Sequence, residues 1–173
     1  MKTLFFSLAL LIACTTVSAQ FTKAELQVAG LTCSMCSKAT DKQLRTLDFI
    51  EDIDIDLSHA SFILHFRKGK AVDISQIKKK VEDAGFSVAM LKPVYNFDNL
   101  KIEEGSSFSY QNMVFYFVNA KTQTLNGDII FKIIDKGFVP DKEYKKLEKE
   151  LKESEGQVKN AESAGSHVYH ITL

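Results

Sequence analysis

Two cysteines separated by two residues are the side chains of this sequence best suited to chemistry. They are Cys33 and Cys36, in the run Gly-Leu-Thr-Cys-Ser-Met-Cys at positions 30–36. The thiolate, not the thiol, is the nucleophile and the metal ligand, and the N-terminus of a helix stabilises thiolates through its unpaired N–H groups and its dipole. A helical pattern begins directly after Cys33, so the spacing predicts that both sulfur atoms converge at the start of a helix.

A thiolate pair of this kind favours soft metal ions. Thiolates select ions such as Cu(I) and Zn(II) over Mg(II) or Ca(II). Two ligands do not complete a tetrahedral zinc site, so the pair suits Cu(I), Ag(I) or Hg(II) better than Zn(II). An exposed loop with few ligands also allows the ion to be passed on. Met35, between the two cysteines, is a weaker candidate for an additional thioether ligand.

Alternating strand and helix patterns surround this loop over residues 23–94. Apolar and polar residues alternate with period two in strand-like runs, namely 24–28, 50–57, 62–66 and a last strand from Phe86 to Met90 or a little beyond. Apolar residues recur at helical spacing from about Ser34 to Leu47 and from about Asp73 to Ala84. Asp73 is a plausible N-cap and Gly85 follows the second helix. The order β-α-β-β-α-β predicts a ferredoxin-like fold, an antiparallel four-stranded sheet with both helices on one face.

The hairpin formed by the two middle strands is expected to have one apolar and one solvated face. The apolar face would contain Ile53, Ile55 and Leu57 from one strand and Phe62, Leu64 and Phe66 from the other. Asp52, Asp54 and Asp56 share the opposite face, and because no glycine-containing calcium loop accompanies them, we interpret them as solvated. All four histidines, His59, His65, His167 and His170, are interpreted as surface residues without a special role.

Pro93 is predicted to end this first unit, and residues 95–173 to form a small second domain that is mostly β with one helix. The aromatic residues of the segment 108–118 are interpreted as core. The pair Asn126-Gly127 predicts a tight hairpin turn before a strand over 128–134. Finally, the sequence predicts a helix over 141–153 that starts after Pro140 and ends before Gly156, and a last strand over 168–173.

The first nineteen residues have the pattern of a secretory signal peptide. A single basic residue, Lys2, precedes the apolar run 4–13, and small residues lead up to Ala19. The end of the apolar run, at Cys14, also resembles the lipobox of bacterial lipoproteins, in which the cysteine is lipidated. We favour release after Ala19, which predicts a periplasmic or secreted protein. The alternative is a lipoprotein anchored through Cys14.

Composition excludes several classes of function. The chain has 173 residues with 22 basic and 22 acidic side chains, and zero net charge argues against a general nucleic-acid or anionic-membrane binder. No apolar run reaches the roughly 18 to 20 residues of a transmembrane helix. Three cysteines are too few for a disulfide scaffold. No hydrolase triad, phosphate-binding glycine loop or zinc-hydrolase signature is present, so we do not expect an enzyme.

Residues 23–94 resemble the heavy-metal-associated domain found in small copper chaperones, periplasmic mercury-binding proteins and the N-terminal modules of metal-pumping ATPases. The family signature Gly-Met-x-Cys-x-x-Cys corresponds to positions 30–36, and the Asp-Ala-Gly-aromatic turn before its last strand corresponds to positions 83–86. The resemblance implies a ferredoxin-like fold that binds one soft ion through Cys33 and Cys36. It favours Cu(I), with Hg(II), Ag(I) and Zn(II) as alternatives.

The same resemblance implies roles for residues around the loop. Leu31 stands where the family usually has Met, a position that packs under the loop, and Phe86 would lie beside the metal loop and shield it. Two departures, Thr40 in place of a larger aliphatic residue and Phe49 in place of Gly, affect fine geometry and metal preference. Metal binding itself is still expected, with a metal-donor or metal-acceptor protein as partner.

Three other interpretations of the cysteine pair remain open. Exported thiols oxidise readily, so Cys33 and Cys36 could form a structural disulfide. A thiol–disulfide exchange site is the second, although Thr32 stands where thioredoxin-type sites have an aromatic residue. The third is an interaction module that uses the fold without metal. We expect an exported soft-metal-binding protein that acts as scavenger or metallochaperone, and outside the cytoplasm its thiols need a metal or a reductant to stay open.

Overall fold

Two β-sheets and three helices make up the part of the chain that the structure describes. A computed structural model describes residues 20–162 and 166–173. The strands are β1 (Phe21–Ala29), β2 (Ile50–Asp56), β3 (Ser61–Phe66), β4 (Ser87–Ile102), β5 (Ser107–Tyr110), β6 (Met113–Phe117), β7 (Gln123–Ile130), β8 (Lys132–Ile133) and β9 (His167–Thr172). The helices are α1 (Ser34–Leu44), α2 (Ile74–Asp83) and α3 (Asp141–Glu162). The predicted signal peptide over residues 1–19, with Cys14, lies outside the described residues.

The first four strands and first two helices follow the predicted β-α-β-β-α-β order. They belong to a five-stranded sheet with the order β2-β3-β1-β4-β7, in which neighbouring strands are antiparallel. The register places Leu26 of β1 opposite Phe62 and Leu91, and all three side chains are fully buried. They belong to a cluster that includes the buried apolar residues of both helices. The ferredoxin-like prediction for this part of the chain is confirmed.

The helix ends follow the local signals in the sequence closely. The carboxylate of Asp73 caps α2 by accepting hydrogen bonds from the N–H groups of Ser75 at 2.9 Å and Gln76 at 3.4 Å. Gly85 follows α2 with φ of +88°, the left-handed conformation that glycine supplies at helix ends. By contrast, α1 ends at Leu44, earlier than predicted, because the N–H of Leu47 bonds to the carbonyl of Leu44 in a tighter turn.

Two side chains expected on the apolar face of the β2–β3 hairpin are exposed. Ile53 is buried as expected, but Ile55 is 39% and Leu57 60% exposed. β2 is the outer strand of the sheet, and the first turns of α1 bury only the small side chains Ser37 and Thr40. The helix layer is therefore thin over the end of β2, which leaves these two side chains partly uncovered.

β4 is much longer than the sequence predicts. It contains 16 residues, of which 87–95 pair with β1 and 94–102 with β7. Pro93 is an interior residue of this strand, opposite Ala24, and its carbonyl accepts a hydrogen bond from the N–H of Phe131 at 3.2 Å. The strand thus continues well past the predicted end near Met90, because β7 takes over as its neighbour.

The pair Asn126-Gly127 lies inside β7, so the predicted hairpin turn at this position is wrong. Gly127 pairs with Phe97 and Leu125 with Leu100, which leaves two residues of β4 opposite one residue of β7. This is a β-bulge in β4, where Asn99 has φ of +49°. Gly127 pairs with the residue before the bulge and has φ of +74°, so its tolerance of positive φ serves inside a strand and does not reverse the chain.

The predicted strand over 128–134 is divided between the two sheets. β7 ends at Ile130, the buried Phe131 crosses between the layers, and β8 joins a second sheet with the order β5-β6-β9-β8. α3 begins after Pro140 as predicted but extends to Glu162, past Gly156. It packs Tyr144, Leu147 and Leu151 in a cluster with Tyr116, Val118, Ile134 and Val168. The predicted last strand is confirmed within one residue as β9.

One hydrophobic core joins the two parts of the chain. The ring of Phe21 in β1 contacts those of Tyr95, Tyr110, Phe115 and Phe131, with centroids 4.9 to 6.2 Å apart. The interpretation of the aromatic segment as core is confirmed, since Phe115, Tyr116 and Phe117 are buried. A separate second domain over 95–173 is not confirmed, because β4 and this aromatic cluster are common to both parts. No helix among the described residues is long and apolar enough to span a membrane.

Candidate metal centre

The loop between β1 and α1 carries both cysteines at one end of the five-stranded sheet. The turn between β2 and β3 lies at the same end, where the N–H of Val28 donates to the carbonyl of Ala60 at 3.2 Å. The turn between α2 and β4 lies beside the loop, since a Cβ added to Gly30 would be 3.6 Å from Cδ1 of Phe86. Gly30 has φ of +86°, a conformation open to glycine that turns the chain from strand to helix.

Cys33 is the N-cap residue of α1. Its backbone is extended, with φ of −146° and ψ of 155°, and its sulfur accepts a hydrogen bond from the N–H of Cys36 at 3.3 Å. Its carbonyl accepts from the N–H groups of Cys36 at 3.1 Å and Ser37 at 3.3 Å. The sulfur therefore lies where unpaired helix N–H groups favour negative charge.

The two thiols differ in acidity. Hydrogen bonds from the side chain and the N–H of Cys36 lower the pKa of Cys33 below its usual value. The same side-chain bond, together with partial desolvation, raises the pKa of Cys36. Cys33 is exposed and Cys36 half-buried, and both are free cysteines. At neutral pH the larger thiolate fraction is therefore on Cys33.

Thr40 supports the loop in a way that sequence reasoning missed. Its hydroxyl donates to the carbonyl of Cys36 at 3.2 Å, and the residue is completely buried. Because residues four apart lie above one another on a helix, the spacing from Cys36 was the available signal. A larger aliphatic residue at this position would make no such bond. Thr40, where this sequence departs from the family pattern, therefore stabilises the first turn of α1.

The other residues proposed around the loop have different environments. Leu31 and Phe86 are half-buried and pack against the main hydrophobic cluster. Met35 is 70% exposed. The roles of Leu31 under the loop and Phe86 as a shield stay predictions.

The loop offers two cysteine ligands, with Met35 as a further candidate between them. Among residues 20–162 and 166–173, no group of three or more histidine, cysteine, aspartate or glutamate side chains lies close enough to hold a metal ion. A pair of thiolates on an exposed loop can hold a soft ion at low coordination number, whereas a structural zinc site needs four ligands. The arrangement therefore suits reversible capture of a soft ion better than permanent structural binding.

Two of the histidines lie on the surface as predicted. His65 lies on the open face of the sheet, with Nε2 2.9 Å from Oδ2 of Asp54. His59 lies in the β2–β3 turn, with Nδ1 2.7 Å from Oδ2 of Asp56. Both histidines pair with carboxylates of β2, and neither belongs to a metal cluster among the described residues.

His170 is buried, so its interpretation as a surface residue is wrong. Its side chain is 9% exposed, and Nδ1 lies 2.8 Å from Oδ1 of Asp135. The backbone N–H of His170 donates to the other oxygen of the same carboxylate at 2.7 Å. The ring of Tyr116 lies 5.9 Å from that of His170, and Val168, two residues away in the same strand, clusters with Leu151 of α3. No local pattern around position 170 indicates this packing. His167, on the same strand, is exposed as predicted.

Comparison with known proteins finds relatives of the N-terminal part of the chain, which contains this loop. No protein-family model matches. The probable copper-transporting ATPase HMA5 of Arabidopsis thaliana is 35% identical over 71 residues, which are 40% of this chain and 7% of that protein. The copper chaperone CopZ of Staphylococcus aureus is 30% identical over 63 residues, which are 36% of this chain and 91% of that protein.

Similar solved structures also cover about 39% of this chain. A CopZ metallochaperone is 28% identical, covers 39% of this chain and all of its own, and superposes with a TM-score of 0.36. The chain spans only 7% to 8% of the length of the copper-transporting ATPases that it matches.

Proposed function

Because the N-terminal part of this chain belongs to the heavy-metal-associated domain family, we propose that the protein binds one soft metal ion between Cys33 and Cys36. The carrying observation is the pair of free cysteines at the start of α1, where Cys36 stabilises the thiolate of Cys33. Cu(I) is the first choice, because thiolates favour it at low coordination number. That copper chaperones and copper-transporting ATPases are among the relatives supports this choice.

The proposed role is scavenging or delivery of the ion, without catalysis. The ligands lie on an exposed loop and lack a third protein ligand among the described residues, so an incoming thiol of a donor or acceptor protein can reach the ion. We place this role outside the cytoplasm, on the signal-peptide pattern of residues 1–19. The metal would also keep the two thiols from oxidising there.

Anaerobic competition titration with Cu(I), Zn(II) and Hg(II) tests the proposal. The reduced chain should bind about one Cu(I), with two sulfur neighbours in X-ray absorption, as expected for thiolate ligation. Replacing both ligands, Cys33→Ser with Cys36→Ser, should abolish binding, because a hydroxyl is a poor ligand for soft ions. The matched control is Ser34→Ala, which changes the loop without removing sulfur. Equal Cu(I) binding by the double variant and the wild type would contradict the assignment of Cys33 and Cys36 as ligands.

Thiol–disulfide exchange is the second candidate, because the lowered pKa of Cys33 at a helix start also suits a nucleophile. In that reaction the Cys33 thiolate attacks a substrate disulfide and releases one thiol. Cys36 then attacks the mixed disulfide and releases the second thiol, which leaves a Cys33–Cys36 disulfide. Reduction of insulin disulfides by the reduced chain, without retention of Cu(I), would favour this candidate over metal binding.

A further inference from the structure

The outer edge of β2 is closed by side chains at one position. The N–H of Ile53 donates to the carboxylate of Asp52 at 2.8 Å, and its carbonyl accepts from Nη2 of Arg45 at 3.1 Å. Arg45 is held in turn by Asp41 at 2.9 Å and by Asp52 at 3.1 Å. Covering the free backbone groups of an outer strand in this way prevents other chains from pairing with it.

The next outward-facing position of the same strand is open. In an antiparallel sheet, residues with both backbone groups pointing away from the neighbouring strand alternate, so Ile55 points outward as Ile53 does. No described residue bonds to the outward N–H and C=O of Ile55. The side chains of Ile55 and Leu57 are exposed there, two of only five large apolar side chains exposed among the described residues. The backbone groups of β2 are thus covered by side chains at Ile53 but uncovered at Ile55, next to the exposed apolar side chains.

The negative charge on the open face of the sheet determines which kind of strand can pair with this edge of β2. The carboxylates of Asp54 and Asp56 flank Ile55 on the open face of the sheet, with side chains 71% and 48% exposed. If a second copy paired antiparallel about Ile55, Asp54 of each copy would lie opposite Asp56 of the other, and like charges directly opposite one another destabilise a sheet. A strand with basic side chains at these positions would be attracted instead.

We propose that the end of β2 around Ile55 is a docking edge for an extended segment of another protein, in which basic side chains alternate with apolar ones. The segment adds a strand beside β2. Its basic side chains face Asp54 and Asp56, while its apolar side chains cover Ile55 and Leu57. Main-chain hydrogen bonds supply affinity and the alternate side chains supply specificity, as in other strand additions. This inference goes beyond metal binding and does not depend on it.

Titration of the isotope-labelled chain with a capped peptide of alternating valine and lysine tests the docking edge. Amide shifts should change for residues 54–57, and binding should weaken at high salt because exposed charges are screened. The variant Ile55→Thr with Leu57→Thr should reduce affinity about tenfold, since lost apolar contact of about 1.4 kcal/mol has that effect. Asp54→Asn should weaken binding of the lysine peptide as well.

Matched controls distinguish binding at this edge from nonspecific binding of the peptide elsewhere on the protein. Ile130 is 57% exposed on the other outer strand, β7, so Ile130→Thr should leave affinity unchanged. A valine–glutamate peptide should bind more weakly than the lysine peptide. The inference is overturned by absence of binding, equal binding of the two peptides, shift changes away from residues 54–57, or a wild-type dimer that Ile55→Thr dissociates in sedimentation. The Ile55/Leu57 variant should still bind Cu(I), so failure here is distinguishable from failure of the metal proposal.

Discussion

At the scale of single residues, Cys33 combines a structural and a chemical role. N-cap positions favour Ser, Thr, Asp and Asn, whose oxygen atoms accept a hydrogen bond from the first turn. Here the sulfur of Cys33 accepts that bond, from the N–H of Cys36 at 3.3 Å. The interaction that begins α1 is therefore also one that stabilises a thiolate. Serine at this position keeps an N-cap oxygen while removing the soft ligand, so Cys33→Ser isolates the chemical role.

The acidity difference within the pair leads to a prediction about reactivity. Only the thiolate reacts with iodoacetamide, and the pKa of Cys33 is lowered whereas that of Cys36 is raised. As pH increases, alkylation of Cys33 should therefore begin at lower pH than alkylation of Cys36. Mass spectrometry of peptides from the metal-free chain, alkylated briefly at a series of pH values, measures both profiles.

Two variants make this measurement specific. Cys36→Ala removes the side-chain hydrogen bond, so the alkylation profile of Cys33 should shift to higher pH. Met35→Leu alters an exposed side chain between the cysteines and should leave both profiles in place. Coincident profiles for Cys33 and Cys36 in the wild-type chain would contradict the proposed role of their mutual hydrogen bonds.

At the scale of elements, β4 connects the two parts of the chain. Its first half completes the ferredoxin-like sheet beside β1, and its second half pairs with β7. The bulge of β4 at Asn99 shifts the register of this long strand against β7, and Leu125 and Phe97 on either side of it are both buried. Gly127, which favours turns, is here part of a strand beside the bulge.

We expect that glycine is required at position 127 because of its positive φ, and not because a larger side chain would clash with its neighbours. A Cβ at this position would meet no atom within 4 Å, but its φ of +74° is costly for most residues. Gly127→Ala should therefore lower the free energy of unfolding by about 1 to 2 kcal/mol, as measured by urea denaturation. Gly127→Asn should cost less, because asparagine tolerates this conformation. Equal stability of the alanine variant and the wild type would contradict the need for a left-handed conformation at Gly127.

At the scale of the whole molecule, the metal loop and the second sheet contact opposite ends of β1. The loop follows Ala29 at the end of this strand, whereas the ring of Phe21 at its start contacts Phe115 of β6. A strand of nine residues spans about 30 Å at about 3.3 Å per residue. This contact of the second sheet therefore lies away from the cysteines, and Cys33 is exposed.

The shared aromatic core predicts that the described parts unfold together. Phe21 from β1 packs against Phe115 and Phe131, so loss of either half exposes the core of the other. In urea, the amide signals of Leu26 and Tyr169 should disappear at the same midpoint. Phe131→Leu should lower both midpoints equally, with a loss of about 1 kcal/mol. Two separated transitions would instead support the two-domain division at Pro93.

Local chemistry, readable from the sequence, determined the cysteine pair at a helix start, the Asp73 cap and the order of elements through residue 86. These follow from periodicity, capping and spacing, which act over a few neighbouring residues. Only the tertiary structure decided four other features: the continuation of β4 through Pro93, the place of Gly127 inside a strand, the burial of His170 and the exposure of Ile55. Each depends on which distant element covers or pairs with a residue, and the free energy of that contact has no counterpart in the local pattern.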